Sequence, residues 1–168
     1  MPGIKSDDLY LTSSKVRSEP ILVLGTYALV FRFLTTMHMR EVWNKAAARN
    51  GDRAAYDADV RVMTLARAVV TMNGQALILD SLELREIREK LKLKPEEQFD
   101  EVQQAEVILD ERFTIRVLEA FDDAYARWLL EYEQQAIETV KKKLGLAASG
   151  TGSSGSSSTG GFSPTTPG

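Results

Sequence analysis

From Ile21 to Leu34 the apolar residues crowd together and alternate as they do on strands. Beyond Thr36 they recur every three or four positions, as on helices. In the first stretch Gly25-Thr26 interrupts a run rich in Ile, Val, Leu, Tyr and Phe, which predicts a two-stranded hairpin. Tyr27, Leu29, Phe31 and Phe33 then share one face, and Ala28, Val30, Arg32 and Leu34 the other. A lone hairpin is marginal in water, so its aromatic face needs helices or another chain to cover it.

Thr36 is placed to cap a helix ending near Asn50-Gly51, with Met37, Val42, Trp43 and Ala46-Ala47 on its apolar side. Asp52 is placed to cap a second, running to about Met72, with Tyr56, Val60, Met63, Leu65, Ala66, Val69 and Val70 on its buried faces. Asn73-Gly74 is a turn signal, read here as a helix end followed by a short extended segment, with a small hairpin as the other possibility. Ser81 opens a charged helix to about Lys92, striped by Leu84, Ile87 and Leu91. Pro95 is placed to open the next, with Glu96 and Glu97 near its positive end and Phe99, Val102 and Ala105 inside. From about Asp110 to Leu144 a single long helix is expected. Its stripe is Leu118, Phe121, Tyr125, Trp128, Tyr132, Ala136, Val140 and Leu144, and Lys141 to Lys143 favour its negative end.

The expected fold is therefore α+β and mostly helical: an N-terminal hairpin packed on a helical bundle with one long C-terminal helix. Residues 1–19 read as a flexible polar arm, 20–144 as the folded domain, and 145–168 as a flexible, disordered tail. The tail has no charge and consists mainly of Gly, Ser, Thr and Pro, too few apolar groups to offset chain entropy. Phe162 is its only aromatic.

Composition narrows the chemistry. With 21 Lys+Arg against 24 Asp+Glu the net charge is −3, which argues against a protein that neutralises many phosphates. The basic groups between Arg85 and Lys94 alternate with acids, as on a salt-bridged surface helix. Cysteine is absent, so disulfides and thiolate metal sites are excluded. The first fifteen residues lack a signal core and no apolar run has membrane-spanning length, so a soluble, cytoplasmic product is expected. His38, the only histidine, stands beside Met37 and Met39 and reads as a boundary residue. The acidic pairs, Asp122-Asp123 among them, match no metal-binding spacing. No catalytic, cofactor-binding or metal-binding residue is expected. The remaining candidates are aromatic: Tyr125, Trp128 and Tyr132 on the long helix, with Phe162 in the tail. They read either as core or as a partner-binding face, since aromatics concentrate at interfaces.

The order of a β segment running into "FRFLT" (31–35), a helix, "LARAVVTMNGQAL" (65–77) and "AFDDAYARWLLEYEQQ" (120–135) resembles small tail proteins of tailed bacteriophages. Tail-assembly chaperones and baseplate-hub assembly proteins are the nearest types, over about Glu19 to Thr139. The resemblance implies a non-enzymatic protein, oligomeric in an assembly, whose partners are other phage tail or baseplate proteins, with no nucleic acid and no membrane. It implies the host cytoplasm during assembly, and leaves open whether the chain stays in the virion. A cytoplasmic helical adaptor or regulatory protein is the alternative.

Overall fold

The computed structural model describes residues 16–49 and 51–145. Its elements are β1 (Ile21–Val23), β2 (Tyr27–Phe31), α1 (Thr36–Arg49), α2 (Arg53–Ala68), β3 (Val69–Met72), α3 (Ser81–Lys90), α4 (Glu101–Arg112) and α5 (Ile115–Lys143). The fold is α+β and mostly helical, with the predicted hairpin at its start. The described residues divide into two units, one up to Glu133 and one from Gln134 onward.

The sheet has three antiparallel strands, not two, in the order β1-β2-β3. Ile21 pairs with Leu29 and Val23 with Tyr27 on one side of β2; Leu29 pairs with Met72 and Phe31 with Val69 on the other. Between Val30 and Phe31 the register shifts by a bulge. Val16 to Ser18, expected in the free arm, instead lies beside the end of β2. Ser18 N–H donates to the Phe31 carbonyl and Phe31 N–H to Ser18 Oγ, both at 2.8 Å. The face reading holds for Leu29 and Phe31, which are fully buried, with Tyr27 and Phe33 half-buried. Leu34, expected on the opposite face, is buried in the same core: it lies past the end of β2, where the period of two no longer applies.

Helix α2 stops four residues earlier than expected. Val69-Val70-Thr71-Met72 is a strand, and Asn73-Gly74 turns it into a minimal hairpin, Met72 pairing with Gln75. Both turn residues have positive φ, 52° and 79°, the geometry that favours Asn-Gly. Asn73 also clasps the sheet: Ala28 N–H donates to its Oδ1 and its own N–H donates to the Ala28 carbonyl, each at 2.8 Å.

Four further expectations are corrected. Asp80, not Ser81, caps α3, in a box with Glu83. Pro95 opens no helix: residues 95–97 turn, 98–100 are irregular, and α4 begins at Glu101 behind the Asp100 cap. The single helix from Asp110 is two, broken at Phe113-Thr114, where Phe113 is extended and the Thr114 carbonyl accepts from Val117 and Leu118. At α1 the cap lies one residue earlier, where Thr35 Oγ1 accepts from His38 N–H at 3.4 Å.

The main core joins Leu29, Phe31, Leu65, Leu109, Leu118 and Phe121, so sheet, α2, α4 and α5 share one apolar centre. A smaller cluster of Val42, Ala46 and Met63 holds α1 to α2. Met37 and Trp43, expected on that apolar side, are exposed. The predicted tail from residue 146 on lies outside the described residues, as do residues 1–15.

Candidate partner-binding surface

The aromatic face of β2 meets the aromatic stripe of α5. Phe31 lies 5.3 Å from Tyr125 and 6.3 Å from Trp128, Phe33 lies 6.2 Å from Tyr132, and Tyr27 packs edge-on to Phe121 at 5.2 Å. Phe113 closes the row, 5.6 Å from Tyr27 and 5.4 Å from Phe121. Separations and tilts of this kind suit the quadrupoles of aromatic rings and add to their burial energy.

This placement sorts the predicted partner residues. Tyr125 is 5% exposed and belongs to the chain's own core, so as a partner anchor it is corrected: the sheet already covers it. Burial pushes its hydroxyl up to about 12, with Asp122 adding and a backbone hydrogen bond at Leu34 opposing. Trp128 and Tyr132 are half-buried and keep an open edge beside the sheet. Phe162 lies outside the described residues. Trp128→Ala should therefore lower the stability of the isolated chain by about 2–3 kcal/mol, below the cost at a fully buried ring. Thermal melting checks this, and an unchanged midpoint would show that the ring is not packed.

Next to the row lies a cleft of about 450 Å³. Phe33, Leu34, Met39, Val60 and Leu129 give it apolar walls, and Asp57, Arg61, Asp122 and Glu133 supply charge. Arg61 stands 3.7 Å from both Glu119 and Asp122, ion-pair separations longer than hydrogen bonds. Its Nε and the Thr64 hydroxyl are buried without hydrogen-bond partners. Burial pushes the Asp122 carboxyl above the usual carboxylate range; Arg61 opposes the shift and Asp123 adds to it. With three carboxylates against one guanidinium, the cleft suits an apolar group that ends in a cation.

Among the described residues, no group of three or more His, Asp or Glu could hold a metal ion. Nor is any helix long and apolar enough to cross a membrane. His38 is used locally: its Nδ1 lies 3.3 Å from the Thr35 N–H and 3.2 Å from Thr35 Oγ1.

The surface that sequence reasoning missed is the tip of the first hairpin. Leu22 is 66% exposed and Leu24 59%. Thr26 N–H donates to the Val23 carbonyl at 3.2 Å, closing a turn whose central residues, Leu24 and Gly25, have φ of 53° and 66°. Such a turn favours Asn then Gly. A leucine there adopts a left-handed backbone that costs roughly 1–2 kcal/mol, and its side chain, more than half exposed, gains little from burial. The only signal in the sequence is that Leu precedes Gly25 where Asn or Asp would be expected.

Protein-family models, curated proteins and solved structures were all compared with the chain, and none matches it.

Proposed function

We propose that this chain is a non-enzymatic structural or assembly protein of a phage tail or baseplate, binding neighbouring particle proteins through apolar surface. The observation that carries the binding role is the strained, exposed Leu24 beside exposed Leu22. Folding alone disfavours both the conformation and the exposure, so the reading assigns the benefit to a partner that covers the tip. The open edges of Trp128 and Tyr132 extend the same argument. The tail or baseplate setting rests on the resemblance carried by residues 31–35, 65–77 and 120–135. In this reading the protein acts in the host cytoplasm during assembly, and a place in the virion follows if its contacts are retained.

Leu24→Asn separates binding from folding. The isolated variant should be more stable than the parent by about 1 kcal/mol, because Asn-Gly suits the turn. Its incorporation into tails or baseplates should fall. A variant that melts higher and incorporates at the parental level would remove the hairpin tip from the mechanism.

A further inference from the structure

A second face of α5 carries a pattern the sheet does not use. The residues that pack on the sheet are Leu118, Phe121, Tyr125, Trp128 and Tyr132. About a third of a turn away, at 100° per residue, lie Ala126, Leu130, Glu133, Ile137, Val140 and Leu144, all exposed. Their steps are four, three, four, three and four, the spacing of a two-helix seam. Leu130, Ile137 and Leu144 are each more than half exposed.

The charges beside this seam are ordered. Glu131, beside the seam, and Glu133, within it, precede Ile137; after Glu138, which stands 3.7 Å from Lys141, the run Lys141, Lys142 and Lys143 follows. The order is self-complementary about one residue. If two copies of the helix lie antiparallel with Ile137 facing Ile137, Leu130 of each faces Leu144 of the other. Glu133 then faces Lys141, and Glu131 faces Lys143. Parallel alignment does the opposite, setting lysine against lysine and glutamate against glutamate. Exposed pairs add little affinity, but like-charge opposition selects against an arrangement. Charge thus fixes the direction, and the apolar seam supplies the attraction.

We propose that α5 pairs with the α5 of a second copy of this chain, antiparallel, with the two-fold axis at Ile137. The contact is isologous, so it closes as a dimer. It is separate from the hairpin tip, and its test does not depend on incorporation into a particle.

The chain contains no cysteine, so introduced ones report cleanly. In an antiparallel pair Ile137→Cys should cross-link to itself under mild oxidation. Leu130→Cys alone and Leu144→Cys alone should not, because about 21 Å of helix separates those positions and a disulfide needs Cα atoms within about 7 Å. A mixture of the two should give the mixed dimer. Sedimentation of the full chain should show concentration-dependent dimerisation, weakened at least ~10-fold by Ile137→Asp. All the altered positions are exposed, so folding should be unaffected. A chain that stays monomeric overturns the proposal. So does an Ile137→Asp chain that dimerises as the parent does, or a Leu130→Cys chain that cross-links to itself.

Discussion

Replacing Phe31 with aspartate should leave no folded protein. Phe31 is fully buried, sits between Tyr125 and Trp128, and has its N–H tied to Ser18 Oγ. Loss of the ring alone costs about 3–5 kcal/mol. The carboxylate would also enter an apolar layer with no cation to meet it, or would have to bind a proton to do so. Together these approach the whole stability of a typical domain, about 5–15 kcal/mol. Far-UV circular dichroism and the amide spectrum report the result. A dispersed, parent-like spectrum would mean that position 31 does not face the core.

The second large effect is expected at Glu106. Its carboxylate lies 3.3 Å from Arg67 and 3.5 Å from Arg49, and the side chains of Arg67 and Glu106 are only 8% and 11% exposed. Arg67 otherwise donates to the Met63 carbonyl at 3.1 Å. Glu106→Ala would leave a buried guanidinium with that one carbonyl, at a cost of about 3–5 kcal/mol. Replacing both partners by apolar residues, as in Arg67→Met with Glu106→Leu, should restore most of the loss, because the desolvation of both charges disappears with them. Denaturant melts of the two single variants and the double variant test this. Additive losses would show that the pair is not coupled.

The hairpin was legible because β-branched and aromatic residues alternate across Gly25, and the face assignment of Leu29 and Phe31 followed from period two alone. The caps at Asp52 and Asp100 are of the type that sequence favours, yet only the first was read, since Pro95 offered an earlier start. The segment after Pro95 is instead held to the end of α3, where Arg88 Nη2 donates to the carbonyls of Lys94, Pro95 and Glu97 at 2.8, 3.3 and 2.9 Å. No local pattern encodes that contact. The break at Phe113-Thr114 was hidden by the continuous stripe on either side, although Thr114 is of capping type. The break lets the Phe113 ring reach both Tyr27 and Phe121. Val69-Val70-Thr71 was the available sign of β3, absorbed into the helix because its apolar residues also fit a 3.6 period. Of the aromatic stripe, sequence gave the face but not its cover. The sheet that buries Tyr125 gains its third strand only through the long-range pairing of β2 with β3.

That pairing has a kinetic side. Strand β3 follows α2 with no intervening loop: Val69 N–H donates to the Leu65 carbonyl at the helix end, and Arg32 N–H donates to Ala68. Strand β2 leads into α1 almost as directly, so everything between Leu29 and its partner Met72 is essentially the α1–α2 pair. Bringing those strands together through an unstructured chain would require closing a long loop before any contact compensates for it. Once Val42, Ala46 and Met63 dock, the two helices set the strand ends side by side and the loop is in effect short. Closure of the sheet is therefore expected to follow docking of the helical hairpin, so Met63→Ala should slow folding as well as lower stability, as stopped-flow refolding would show.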